Sequence, residues 1–62
     1  MRLIYFEGSD GRDIYINPSE VTSVWAFPDN NTTANIDLSS GDTQTVVGEL
    51  GDVVHALLEA TE

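Results

Sequence analysis

Four clusters of turn-forming residues divide most of the chain into short segments. They are Gly8-Ser9-Asp10-Gly11, Asn17-Pro18-Ser19-Glu20, Pro28-Asp29-Asn30-Asn31 and Ser39-Ser40-Gly41-Asp42. Glycine, proline, asparagine and aspartate favour turns because they supply a positive φ, a fixed φ or a local side-chain hydrogen bond. The runs between these clusters have the length of strands and are too short for ordinary helices.

The runs between the turns also have the alternation of β-strands. In the first run Ile4 and Phe6 lie on the face opposite Tyr5, and in the second Ile14 and Ile16 lie opposite Tyr15. The Asp-Gly step between these two runs is a strong hairpin signal. The predicted strands are Leu3–Phe6, Asp13–Asn17, Val21–Phe27, Thr32–Leu38 and Thr43–Val47.

The hydrophobic period changes from that of a strand to that of a helix near the end of the sequence. Apolar residues from Leu50 to Leu58 form one helical stripe, which predicts a helix beginning between Gly48 and Asp52. We expect the whole chain, residues 1–62, to form one α+β domain, a small antiparallel β-meander of four to five strands with one C-terminal α-helix packed on one face. The predicted core consists of Ile4, Ile14, Ile16, Val21, Ile36, Leu38, Leu50, Val54, Leu57 and Leu58.

The charge balance is the most unusual feature of the composition. Eleven carboxylates stand against two arginines, and lysine is absent, so the formal net charge is −9. Phosphate backbones and anionic membranes are bound by cationic side chains, so direct nucleic-acid and membrane binding are both disfavoured. A basic protein surface would attract this chain and accelerate association. The alternative is that the acidity only keeps a small protein soluble.

Nothing in the sequence indicates a catalytic, metal or cofactor site. There is no cysteine, which removes thiolate ligands and disulfides. The single histidine, His55, falls beside Asp52 and Glu59 on the predicted helix, has no accompanying nucleophile, and is most simply a solvated side chain. The acidic turns around Asp10 and Asp29 lack the spacing of a calcium loop. We therefore expect a non-enzymatic protein without a cofactor.

Three features favour a cytoplasmic protein. No apolar run approaches the ~20 residues of a membrane span, and residues 1–6 are too short for the core of a signal peptide. The absence of cysteine fits a reducing compartment. We expect a monomer or a weak homodimer.

Both faces of the predicted strand Val21–Phe27 carry large apolar residues. Strict alternation places Trp25 and Phe27 on one face and Val24 on the other, and a single helix can cover only one of them. Burial of the two aromatic rings is the favoured interpretation, because a tryptophan is costly to expose. If Trp25 instead projects outward, it is an anchor for a protein partner or for a second copy.

The run from Gly11 to Val24 resembles the start of the FlbD/SwrD family of small flagellar and swarming proteins. The resemblance lies in a strand, the Asn17-Pro18 turn and two aliphatic residues three apart, and it continues in Ile36, Leu38, Ser40, Gly41 and the terminal helix. It implies a similar small β fold and an accessory role in binding a motility or regulatory protein. The chain departs from that family in lacking lysine and in carrying Trp25-Ala26-Phe27 where the family tends to be polar.

In its small size, its strong acidity and its lack of lysine and cysteine, the chain also resembles small phage-encoded inhibitors, including anti-CRISPR proteins that act as nucleic-acid mimics. That resemblance implies a phage protein in the bacterial cytoplasm that blocks a basic nucleic-acid-binding groove. Outward residues two apart on a strand are ~6.6–6.8 Å apart, so carboxylates there can present a ladder of negative charge. We favour this inhibitor over the accessory factor and over a homo-oligomeric module that uses Trp25. The predicted partner-binding residues are Glu7, Asp10, Asp13, Trp25, Asp29, Asp37, Asp42, Glu49 and Asp52.

Overall fold

The computed structural model describes residues 2–60 and confirms the α+β class, with five antiparallel strands and one C-terminal helix. The elements are β1 (Ile4–Glu7), β2 (Asp13–Ile16), a 3-10 turn (Pro18–Glu20), β3 (Val21–Trp25), β4 (Thr33–Leu38), β5 (Thr43–Val47) and α1 (Leu50–Ala60). The helix begins inside the predicted window. Half of the strand ends coincide with the predicted ones, and the other half differ by one or two residues.

Strands β1 and β2 form a hairpin whose inner face is apolar. Phe6 and Ile16 are buried in the core, and Ile4 and Ile14 pack against it. The register places Tyr5 opposite Tyr15 and Phe6 opposite Ile14. The alternation predicted from the sequence is therefore confirmed.

Gly8 connects this hairpin to the rest of the sheet structure. It forms an isolated antiparallel bridge with Val46 of β5, and the neighbouring Ser9 N–H donates to the Thr45 carbonyl at 3.1 Å. A Cβ atom on Gly8 would lie 2.9 Å from Cδ1 of Ile14 and 3.2 Å from the Arg12 carbonyl oxygen. A side chain at this position would require Cδ1 of Ile14 and the Arg12 carbonyl to shift, so the close approach favours glycine.

The five strands divide into the hairpin and a three-stranded sheet in the order β3-β4-β5. Consecutive strands β2 and β3 do not pair, because Pro18 ends β2 and starts the 3-10 turn. The Asn17 side chain supports that turn by accepting a hydrogen bond from the Ser19 N–H at 3.1 Å. The predicted meander is therefore interrupted at this turn rather than continuous across all five strands.

Helix α1 covers the inner faces of the strands through Val53 and Leu57, which are both buried. The prediction that Leu58 is a core residue was wrong, since 61% of it is exposed. Val54 is only half-buried. The apolar stripe of α1 is wider than the face that this small sheet covers. The buried residues missing from the predicted core are Phe6, Ala34, Val46 and Val53.

No helix within residues 2–60 is long and apolar enough to cross a membrane.

Strand β3 ends at Trp25, and the favoured interpretation that Trp25 and Phe27 are buried was wrong. Trp25 is 39% exposed and Phe27 is 56% exposed. The cause is a register shift between Val21 and Ser23, which inserts an extra residue and reverses the alternation after it. Val21 and Val24 therefore both pack against the core, and Trp25 projects outward.

Candidate partner-binding surface

The outer side of the β1–β2 hairpin carries two exposed tyrosines and two carboxylates, which we call the hairpin face: Tyr5, Glu7, Asp13 and Tyr15. The tyrosine ring centroids are 5.5 Å apart with an interplanar angle of 60°. The Tyr5 hydroxyl donates to Asp13 Oδ1 at 3.0 Å. That hydrogen bond, which favours the protonated hydroxyl, is the main reason that the pKa of Tyr5 is raised.

Glu7 and Asp13 lie directly opposite each other in the hairpin register. Both are exposed, and like charges in directly opposed positions destabilise a sheet. Among residues 2–60, the Arg12 guanidinium pairs with Asp10 and the His55 imidazole contacts Glu59. Neither pair involves this carboxylate rung, so the rung keeps its unbalanced negative charge.

Asp10 has a structural role in the turn that follows β1. Its Oδ1 atom accepts from the Arg12 backbone N–H at 3.2 Å, and its Oδ2 atom lies 2.7 Å from Arg12 Nε. The backbone hydrogen bond, assisted by the arginine charge, lowers the pKa of Asp10. Much of its hydrogen-bonding capacity is therefore used within the protein.

The outer side of the three-stranded sheet, which we call the sheet face, carries a carboxylate that is held by neighbouring hydroxyl groups. Ser23 Oγ donates to Asp37 Oδ2 at 2.7 Å, and Thr43 Oγ1 donates to Asp37 Oδ1 at 2.7 Å. These two hydrogen bonds lower the pKa of Asp37, the Ser23 bond most. Each carboxylate oxygen of Asp37 therefore already has a partner inside the protein.

A second polar network on the sheet face is centred on Asn35, two residues before Asp37 in β4. Asn35 is only 6% exposed, and its Oδ1 atom accepts from Thr45 Oγ1 at 2.7 Å. Its amide nitrogen lies 3.5 Å from the Trp25 carbonyl oxygen as a long hydrogen bond. Each of the two polar networks on the sheet face therefore links all three strands.

Trp25 and Phe27 form an exposed aromatic pair at one end of β3. Their ring centroids are 5.0 Å apart with an interplanar angle of 77°, an edge-to-face arrangement. Such pairs are favourable beyond the area they bury. The pair therefore presents two large apolar rings together at the surface.

The other predicted partner-binding residues are spread over the two ends of the sheet. Asp42 lies beside Asp37 at one end, since Thr43 is the register partner of Asp37. Asp29 and Glu49 belong to the loops at the opposite end, which are joined by the hydrogen bond from the Gly48 N–H to the Thr32 carbonyl. The two ends are four residues apart along β4 and β5, or about 14 Å. Asp52 is exposed in the first turn of α1.

Sequence reasoning missed three exposed aromatic residues, Tyr5, Tyr15 and Phe27, as candidates for the surface. The signal for the two tyrosines was present, because their alternation with buried aliphatic residues already placed them on the outer face. It also missed Glu20, whose carboxylate accepts a hydrogen bond from the Ser39 hydroxyl. That interaction depends on the register of β3 and β4 and has no local sequence signal.

Residues 2–60 contain no group of three or more acidic or histidine side chains placed to hold a metal ion. Comparison with protein-family models, curated proteins and solved structures gives no match. The surface itself therefore carries the functional argument.

Proposed function

We propose that this is a non-enzymatic binding protein that occupies a basic groove of a partner protein and competes there with nucleic acid. The observation that carries the proposal is the carboxylate rung of Glu7 and Asp13, directly opposed on an exposed hairpin beside the exposed Tyr5–Tyr15 pair. Acidity that served only solubility would not require two like charges in directly opposed positions.

A basic partner surface provides what this rung lacks. An arginine guanidinium placed between Glu7 and Asp13 would relieve their repulsion and form charge-assisted hydrogen bonds with carboxylates. Guanidinium groups also stack on aromatic rings, and the two tyrosines adjoin the rung. The hairpin face therefore complements an arginine-rich surface through its negative charge and its aromatic rings.

The overall charge supports fast association with such a partner. A net charge of −9 on 62 residues gives long-range attraction to a positively charged channel and raises the rate of encounter. RNA-guided nucleases hold nucleic acid in channels of this kind. Together with the small size and the absence of lysine, this supports the finer proposal of a phage-encoded inhibitor of the anti-CRISPR type that acts in the bacterial cytoplasm.

A displacement assay tests the proposal. DNA-binding proteins with basic channels, RNA-guided nucleases among them, are loaded with fluorescent DNA and titrated with this protein while anisotropy is recorded. At least one of them should release its DNA. Direct binding of this protein to that partner should weaken as salt rises, because the Debye length falls from ~10 Å at 0.1 M to ~3 Å at 1 M. Simultaneous binding of protein and DNA without mutual displacement would contradict mimicry.

Matched charge-reversal variants separate the hairpin face from the overall acidity. Glu7→Lys with Asp13→Lys keeps a like-charge pair in the rung and should abolish displacement. Glu59→Lys with Glu62→Lys changes the net charge equally and should have a much smaller effect; Glu62 lies outside the described residues. Equal losses in the two double variants would show that net charge alone governs binding.

A second candidate function is an accessory protein-interaction module that binds through Trp25 and Phe27. The observation that favours it is the exposed edge-to-face pair at the end of β3, since clustered aromatic residues are typical binding anchors. Trp25→Ala with Phe27→Ala should then abolish partner binding, which should be insensitive to salt. Under the inhibitor proposal the same variant retains displacement of DNA and salt-sensitive binding to the partner.

A further inference from the structure

We propose that the free edge of β3 and the apolar groove beside it bind an extended basic peptide segment of a partner protein, which adds to the sheet as a further strand. This site is separate from the hairpin face, so it does not depend on the competition proposed above. Recognition at this site occurs through hydrogen bonds between the main chain of β3 and the main chain of the peptide.

Strand β3 is an edge strand within the described residues. It pairs with β4 on one side, and no strand of residues 2–60 pairs with its other side. Edge strands of natural sheets are usually protected by lysine, proline or inward-pointing charges. Residues 21–25 contain none of these. The register shift lies at the start of the strand, which leaves Ser23–Trp25 regular.

An apolar groove lies between β3 and α1. Its volume is about 260 Å³, and its principal lining residues are Pro18, Val21, Val24, Val54, Leu57 and Leu58. Leu58 is 61% exposed, although it belongs to the apolar stripe of the helix. Alternate side chains of an added strand point to the same face, so the groove can receive every second side chain of such a segment.

The charges around β3 specify the chemistry of the occupant. Glu20 directly precedes the strand, and its exposed carboxylate accepts a hydrogen bond from the Ser39 hydroxyl. Asp29 lies four residues after Trp25, and the strand itself is uncharged. A second copy of the chain paired antiparallel through β3 would bring these acidic flanks together, and each copy carries a net charge of −9. A segment with an apolar centre and a lysine or arginine at each end complements both flanks. The Trp25 and Phe27 rings can also stack against an arginine.

The first test uses synthetic peptides and amide resonances of the isotope-labelled protein. The probe has about seven residues. Its centre of alternating valine and threonine matches the five residues of β3, and a terminal lysine and a terminal arginine extend it by one residue, or ~3.3 Å, at each end. It should shift the resonances of residues 22–25 and protect from exchange those of their amides that point away from β4. A control peptide that carries glutamate at both ends should bind at least tenfold more weakly.

The second test uses paired variants. Leu58→Ala should raise the Kd for the basic peptide about tenfold, because part of the apolar groove is removed. Val47→Ala, on the exposed side of β5 and 48% exposed, should leave the Kd unchanged. Glu7→Lys with Asp13→Lys should also leave peptide protection of β3 intact, which distinguishes this site from the hairpin face.

Several results would overturn the inference. These are equal binding of the acidic and basic peptides, protection confined to β2 or to other elements, no protection at millimolar peptide, or an unchanged Kd in Leu58→Ala. Concentration-dependent protection of β3 without peptide, accompanied by dimers in sedimentation velocity, would assign the edge to a second copy.

Discussion

The hairpin face and the sheet face both carry carboxylates on the outside of antiparallel strands, but in opposite electrostatic situations. Asp37 on the sheet face accepts two hydroxyl hydrogen bonds, one on each oxygen. Glu7 and Asp13 on the hairpin face oppose each other. Within residues 2–60, Asp13 accepts a hydrogen bond from Tyr5 and the Glu7 carboxylate accepts none. One face uses its negative charge to hold three strands together, and the other leaves it unbalanced.

This difference separates carboxylates that stabilise the fold from carboxylates that are available to a partner. The net charge treats all eleven carboxylates of the sequence alike. The contacts tie Asp37 and Asp10 to neighbouring residues of the fold. The carboxylate rung is exposed, and we expect its opposed like charges to lower stability. The predictions that follow test this separation, from the largest expected effect to the smallest.

The largest effect is expected at Leu57, which lies in the core beneath both faces. Leu57→Ala should cost ~2–5 kcal/mol, which is comparable to the whole stability of so small a domain. Urea unfolding should show one transition in Trp25 fluorescence and in the tyrosine near-ultraviolet signal. The control Leu58→Ala should stay within ~0.5 kcal/mol of the wild type, since Leu58 is mostly exposed. Separate transitions for the two signals would show that the hairpin and the sheet fold independently.

The next effect concerns the buried amide of the sheet face. Asn35→Ala removes the acceptor of the Thr45 hydroxyl and should cost about 1–3 kcal/mol. On the hairpin face, Glu7→Ala should be neutral or stabilising, because it removes one of two opposed charges. Chemical denaturation of the two variants measures both values. A greater loss in Glu7→Ala than in Asn35→Ala would reverse the assignment of structural and available residues.

Much of the fold could be predicted from the sequence because its signals are local. Turn residues located the strand boundaries, and the period of two placed Phe6 inward and Tyr5 outward. The outward position of Trp25 could not be predicted, since it depends on a register shift against β4. The exposure of Leu58 likewise depends on how much of the helix stripe the sheet covers. For the candidate surface, composition indicated acidity, but only cross-strand register shows that Glu7 opposes Asp13 and that Asp37 is bonded.

The loss of stability at acidic pH should depend on Asp37, the carboxylate of the sheet face. The pKa of Asp37 is lowered from its ordinary value of 3.8 by hydrogen bonds from Ser23 and Thr43. The stability contributed by ionised Asp37 is therefore present above about pH 4 and is lost as pH falls through its lowered folded pKa. Thermal unfolding of Asp37→Asn should show a smaller decline in Tm over that range than the wild type. Parallel curves would mean that the ionised form of Asp37 does not stabilise the fold.

The most direct measurement compares the free energy of unfolding, at neutral pH and low salt, for charge-removing variants of the two faces. Asp37→Asn should lower it, because two charge-assisted hydrogen bonds become neutral ones. Glu7→Gln with Asp13→Asn should raise it by about 0.2–1 kcal/mol, because a like-charge rung is removed while the asparagine can still accept from Tyr5. Opposite signs are the predicted result. If both variants lower the free energy of unfolding, the hairpin carboxylates are structural and the separation of the two faces is wrong.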